Sequence, residues 1–370
     1  MRPKERTKMS LLPGFDFEEA RQCLALSADV ETFSPSTADA ATQAAIASNR
    51  QTDPNRKSWP FPVPGIGDWE IVVDPTHSIG LDNYWRLYRS KTHEGRYAAA
   101  VRGTVANPSS VLADVMLGML EAQGTLRIHE SAGVPGYDFD FRLADDGDAG
   151  VHHGFTYSLG ALLNPTWQYG IAGSMNAAIA AGATEFLITG HSQGAAIATL
   201  LRSYLHYQPL AGEVTYKTYV FAQPKPGNAY MGADFERLFA TPALAYRLYN
   251  TLDWVPQTGF TIELPSDVPL PNPLSVVPHL IDEVLREIVE KILAWMRKKA
   301  RKHETLGRGT DEVRLAIGQD LISAYYAGMA NPIALRGDPQ VGNDHDTDMF
   351  AQHHLGTYWA LMKAQLRDHK

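Results

Sequence analysis

The sequence holds a single cysteine, Cys23, in 370 residues. One thiol can close no intrachain disulfide and can build no cysteine-rich zinc site, so a stapled secreted scaffold and a zinc finger are both excluded. The residues around Cys23 read as a helix with a buried thiol. Long hydrophobic runs are also missing. No window approaches the roughly 18 uninterrupted apolar residues of a membrane-spanning helix, so no transmembrane segment is expected. Positive charge is in deficit: 33 Lys and Arg face 41 Asp and Glu, a net charge of −8, with no long basic stripe, which argues against nucleic acid as a partner. There is no internal repeat and no low-complexity tract. Met1-Arg2-Pro3-Lys4-Glu5-Arg6 is basic enough to open a signal peptide, but Pro13-Gly14 and the acids Asp16, Glu18 and Glu19 stand where an apolar stretch should follow. No signal peptide is recognisable, which leaves the cytoplasm or export by another route.

What is present is a core. Hydrophobic residues make up 44% and aromatics 10%, which suits a globular chain. Asp16 is placed to cap a helix, with Glu19 completing a box and Phe17, Ala20 and Leu24 on its buried face. A second helical stretch is expected near Ala38–Ser48. Residues 51–67, with four prolines and two glycines, read as a loop. Strand signals follow at Trp69–Val73, Tyr84–Tyr88 and Arg96–Val101, the last two flanking a polar turn that predicts an antiparallel hairpin. Helices and strands then alternate: a helix at about Ser109–Gln123, a strand near Gly150–Phe155, a helix over Trp167–Ala181 and the strand Glu185–Thr189. After these come a helix over Ala195–Tyr207, the strand Lys217–Phe221, a short helix near Met231–Phe239 and the strand Ala245–Tyr249. Such alternation implies an α/β fold, a mostly parallel central sheet flanked by helices. Residues 261–278 read as a connector. Helical spacing then predicts long helices at about Leu280–Lys302, ending in the basic run Arg297–Lys302, and at about Thr310–Met329.

Gly190-His191-Ser192-Gln193-Gly194 fits G-x-S-x-G. The pentapeptide alone is weak, and an ordinary Gly-Ser turn is its bland reading. Its setting is more specific, because Phe186-Leu187-Ile188-Thr189 leads in as a strand and Ala195–Leu201 leaves as a helix. A serine on so sharp a turn presents its hydroxyl, and the new helix aims its first amides at developing negative charge, which makes the Gln193 N–H an oxyanion donor. His191 belongs to the turn and reads as structural.

A serine hydroxyl is nearly inert until a histidine takes its proton and an acid fixes that histidine's tautomer. Asp253, just past the strand ending at Tyr249, is the candidate acid, with a turn-forming aspartate as the plain alternative. His353 is the candidate base. Its neighbour His354 competes and His345 is a weaker third. Asp145-Asp146-Gly147-Asp148 lacks the full spacing of a calcium loop, and around Asp344, Asp346 and Asp348 the pair His345-Asp346 is a poor match to a metal phosphohydrolase; both clusters read as turns, so no metal is assigned. A serine–histidine mechanism requires no cofactor.

Six blocks in order resemble the class 3 lipases: Val101-Arg102-Gly103-Thr104, Val151-His152-His153-Gly154-Phe155, Ile188–Ala196, Phe221–Asn228, Asn250–Pro256 and the segment around His353. The resemblance covers about residues 69–256 and the C-terminus. It implies an α/β-hydrolase fold, with Ser192 as nucleophile, Asp253 as acid, His353 as base and Thr104 as the second oxyanion donor beside Gln193. Arg102 would be a structural ion-pair partner. Gln193 stands where the family has Leu and Ala195 where it has Gly. Asp253 and His353 are 100 residues apart, more than in the compact fungal enzymes. The expected organisation is therefore one domain over 1–370, with an N-terminal helical extension over 1–67 and a helical insertion over 261–330. The same resemblance makes 104–123 a lid whose apolar face, with Val111, Val115, Met116 and Met119, would bind acyl chains, although a core-packing helix fits the pattern too. The insertion helix with its basic end fits either an anionic lipid surface or ordinary packing. The implied activity is that of a triacylglycerol lipase acting on lipid or ester at an oil–water interface. A phospholipase A1, a short-chain or feruloyl esterase, and a silent lipid-binding relative remain alternatives, and oligomeric state is left open.

Overall fold

A computed structural model describes residues 11–31, 65–103, 119–257, 326–341 and 350–366. Its first element is α1 (Phe17–Val30), capped by the Asp16 carboxylate accepting from the Glu19 N–H at 2.8 Å. Three strands follow, β1 (Trp69–Val73), β2 (Trp85–Ser90) and β3 (Arg96–Val101). Next come the short β4 (Met119–Glu121), the hairpin β5 (Gln123–Ile128) and β6 (Tyr137–Arg142), and β7 (Gly150–His152). The helices α2 (His153–Leu162) and α3 (Ile171–Ala180) lead to β8 (Glu185–His191), α4 (Gln193–Tyr207) and β9 (Thr215–Phe221). Beyond them lie β10 (Gly227–Asn228), α5 (Ala229–Phe235), β11 (Ala245–Asn250), β12 (Tyr326–Ala327), β13 (Asn331–Leu335) and α6 (Leu355–Gln365).

The described strands form a seven-stranded sheet in the order β1-β2-β3-β8-β9-β11-β13. β1, β2 and β3 are antiparallel, and every pairing from β3 to β13 is parallel. A smaller sheet, β12-β10-β7-β4, and the β5–β6 hairpin lie beside it.

Period-two alternation builds the two faces. On β3, Tyr97, Ala99 and Val101 join one core, with Phe186, Ile188 and Val220 and the buried sides of α2, α3 and α4. Ala98 and Ala100 join the other, with Leu187, Tyr219, Phe221 and Leu248 under α1 and α6. Cys23 is fully buried in that second core, where burial pushes its thiol pKa up. The alternation and the small side chains of β3 together let helices cover both faces of a nearly apolar strand.

Several expectations are corrected. Residues 119–123 continue the helical spacing of the segment before them, yet they are not helix: Met119, Leu120 and Glu121 pair with His152, Val151 and Gly150, and Gln123 opens β5. The strand expected over Gly150–Phe155 stops at His152, whose ring Nδ1 accepts from the Phe155 N–H and starts α2. The helix expected from Trp167 begins at Ile171, after a turn closed by Gly170 N–H to Trp167 C=O at 2.8 Å. Tyr326–Ala327, expected at the end of a helix, pair with β10, and β13 supplies an edge strand that the sequence pattern did not announce. The expectations for 38–48, 104–118, 258–325, which holds Arg297–Lys302, and 342–349, which holds His345, Asp344, Asp346 and Asp348, lie outside the described residues. Among the described residues no helix is long and apolar enough to cross a membrane.

Candidate active site

β8 is buried along its whole length and delivers His191 and Ser192 to the C-terminal edge of the sheet. Ser192 takes φ 56° and ψ −130°, a conformation that costs an L-residue energy and survives only where the surroundings enforce it. Two glycines do the enforcing. A Cβ on Gly190 would stand 2.4 Å from the Gly194 backbone, and one on Gly194 would stand 2.2 Å from the Val101 carbonyl oxygen of β3. The turn closes through Ser192 N–H to Phe221 C=O at 3.0 Å and Ala195 N–H to Ser192 C=O at 2.9 Å. Gln193, the first residue of α4, carries its amide at the positive end of that helix.

Asp253 lies three residues past β11 and is almost wholly buried. Its Oδ1 accepts from the Val255 N–H at 3.0 Å, and its Oδ2 accepts from the Tyr358 hydroxyl at 2.8 Å. Oδ2 also lies 2.8 Å from His353 Nδ1, and His353 Nε2 lies 2.9 Å from Ser192 Oγ. A carboxylate only accepts, so Nδ1 carries the ring proton and Nε2 presents a lone pair to the serine. The three side chains thus come together from β8, from the loop after β11 and from the turn before α6. His354 serves instead as the N-cap residue of α6, its carbonyl accepting from Thr357 and Tyr358.

The other expected site residues divide. Met119 is in β4, half-buried, with its sulfur over Gly150 rather than on a lid helix. Thr104, Val111, Val115 and Met116 lie outside the described residues. Arg102, fully buried, donates to the Asp82 carboxylate at 3.2 Å. In the Asp145–Asp148 turn the Asp148 N–H donates to the Asp146 carboxylate at 2.8 Å.

Four further residues build the site. Tyr358 is buried on the far side of Asp253 and also accepts from the Asn250 N–H at 3.0 Å. Burial pushes its phenol well above the usual range, so it remains a donor. His191 contacts the His353 carbonyl through Nε2 at 2.8 Å, and burial, then the neighbouring His353, pushes its pKa well down. Asn250 donates to the Gln352 carbonyl at 2.9 Å and to its Oε1 at 2.7 Å. The sequence shows His191 in the elbow and Tyr358 beside His353, but no local pattern pairs Asn250 with Gln352.

Residues 98–262 match the model of the family described as Lipase (class 3). No curated protein matches the chain. Among solved structures, M37 lipase is similar at 18% identity and a TM-score of 0.52, over 94% of this chain and 93% of that one. Lip2 lipase from Yarrowia lipolytica shares 20% identity at a TM-score of 0.43, over 68% of this chain and 78% of its own. Rhizomucor miehei triacylglyceride lipase shares 17% at 0.41, over 66% and 76%. At the identity of M37 lipase, likeness speaks for the fold, and the fold is the α/β-hydrolase fold.

Proposed function

We propose that this chain, whose residues 98–262 match the family model described as Lipase (class 3), is a carboxylester hydrolase with Ser192, His353 and Asp253 as its triad. The observation that carries the reading is the hydrogen-bonded run Ser192 Oγ, His353 Nε2, His353 Nδ1, Asp253 Oδ2 at 2.9 and 2.8 Å. His353 takes the serine proton as Oγ attacks the ester carbonyl carbon. Negative charge collects on the carbonyl oxygen, where the Gln193 N–H at the start of α4 and, by the family resemblance, Thr104 stabilise it. Collapse returns the proton from His353 to the departing alcohol and leaves an acyl-serine. Water, deprotonated by His353, then releases the fatty acid and restores Ser192. Asp253 holds the ring in its productive tautomer and stabilises the imidazolium.

The substrate we assign is an acylglycerol at an oil–water interface. Labelling by a fluorophosphonate is expected at Ser192, and Ser192→Ala is expected to lower kcat/KM on soluble p-nitrophenyl esters by on the order of 10³-fold or more. Activity within tenfold of wild type would sink the assignment. A chain-length series with emulsified triglyceride beside it tests the substrate, since preference for short soluble esters or for phospholipid would replace the acylglycerol reading.

A further inference from the structure

His353 is not part of a regular element. It sits in the turn before α6, where its own N–H donates to the Phe350 carbonyl at 2.8 Å and the Phe350 ring lies 6.0 Å from its imidazole. Its two flanking carbonyls are both taken. The Gln352 carbonyl accepts from Asn250 Nδ2 at 2.9 Å, and the His353 carbonyl meets His191 Nε2 at 2.8 Å. Both side chains are buried. Asn250 is the last residue of β11, the strand that leads to Asp253, and His191 is the last of β8, the strand that leads to Ser192.

We propose that His191 and Asn250 are positioning residues, which register the base against the two strands that carry its partners by holding the peptide carbonyls of Gln352 and His353. The inference rests on the triad reading above and deepens it.

The chemistry of the donors supports it. A carbonyl can only accept, so His191 must carry its proton on Nε2. The groups facing His191 are the His353 ring at 4.7 Å and the Tyr358 ring at 5.9 Å, with His354 also close enough to be felt electrostatically. Burial and the charge that His353 acquires during catalysis both disfavour a second imidazolium. His191 therefore remains a neutral donor while its neighbour gains and loses a proton. Asn250 is used through both ends of its amide, because Oδ1 accepts from the Leu252 N–H at 3.1 Å while Nδ2 reaches Gln352. Gln352 in turn donates to the Val341 carbonyl at 2.9 Å, which ties the turn to the segment after β13.

Displacement of a base by a fraction of an ångström acts on the reacting geometry and leaves ground-state binding alone. With a soluble p-nitrophenyl ester, His191→Phe and Asn250→Asp are expected to lower kcat about 10- to 100-fold with KM within about twofold. Labelling of Ser192 by fluorophosphonate should slow by the same factor. His191→Gln, whose amide nitrogen reaches the place of Nε2, is expected to recover most of the loss. Variants that keep kcat within twofold of wild type, or a glutamine as poor as phenylalanine, overturn the inference. Should the variants fail to fold, imidazole ¹⁵N NMR of the wild type decides: a neutral Nε2–H His191 that does not titrate supports it, and an Nδ1–H or titrating ring overturns it. A wild type inert to fluorophosphonate defeats the triad reading itself. A labelled wild type with indifferent variants defeats this inference alone.

Discussion

Ser192 and His353 are 2.9 Å apart, yet they are held by opposite means. The serine is fixed by backbone. Its strained φ, the Cβ-free surfaces of Gly190 and Gly194 and the start of α4 all come from one contiguous stretch. The histidine is fixed by side chains from elsewhere: Asp253 at its ring, His191 and Asn250 at its carbonyls, and Tyr358 behind the acid. The proposed nucleophile, whose approach angle matters most, is built from stiff backbone. The base is adjusted through several hydrogen bonds that can each be altered separately.

The backbone half should break all at once. Gly194→Ala would place a methyl group 2.2 Å from the Val101 carbonyl oxygen and 2.8 Å from the Arg102 backbone, so it meets main chain rather than a side chain that could turn away. The expected cost is about 3 kcal/mol, read as a lower urea midpoint, together with loss of Ser192 labelling. An unchanged midpoint would mean that the elbow is less constrained than its contacts imply. A smaller effect follows from histidines that the fold buries uncharged. Burial lowers the His153 pKa to about 4 and pushes that of His191 well down, whereas both rings titrate near 6.5 once unfolded. Below pH 6.5 the unfolded chain binds protons that the native chain refuses, so stability falls as pH drops from about 6.5 toward 4. His153 alone should contribute roughly 2 kcal/mol to that loss. Urea titrations at pH 7 and pH 4.5 measure it, and His153→Phe should flatten the slope. A wild-type slope that the substitution leaves unaltered would contradict the assignment.

The same division governs what the sequence made readable. β8, Ser192 and α4 are legible because strand, turn and helix adjoin in the chain and each obeys its own period. Asp253 follows from its place after a strand. His353 is harder to read, since the adjacent His354 competes with it and His345 is a weaker third. The start of α2 was misread because a histidine, His152, caps it in place of the usual Ser, Thr, Asp or Asn. β13 carries no plain strand signal because it contains Pro332, which an edge strand tolerates. Tyr137-Asp138-Phe139-Asp140-Phe141-Arg142, by contrast, alternates cleanly with Phe139 and Phe141 buried, so the signal for β6 was there to be used. The link from Asn250 to Gln352 spans 102 residues and joins two polar side chains, for which no periodicity exists.

Tyr358 offers the finest test of the side-chain half. Its hydroxyl is fully buried, accepts from the Asn250 N–H and donates to the same Asp253 oxygen that faces His353 Nδ1. Tyr358→Phe leaves the ring and its packing in place and removes only those two bonds. Stability should fall by about 1–2 kcal/mol, because the Asn250 N–H loses its acceptor in a dry site. The carboxylate keeps Val255 and His353 but loses one neutral donor, so its charge bears more strongly on the imidazolium. The base therefore keeps its partner, and kcat should fall by less than about tenfold with KM within about twofold. That loss is smaller than the one expected for His191→Phe, although the two rings lie edge to face 5.9 Å apart. If both substitutions lowered kcat by the same factor, the hydrogen bonds around His353 would form one undivided scaffold, and the separate roles of the group behind Asp253 and the groups beneath His353 would have to be given up.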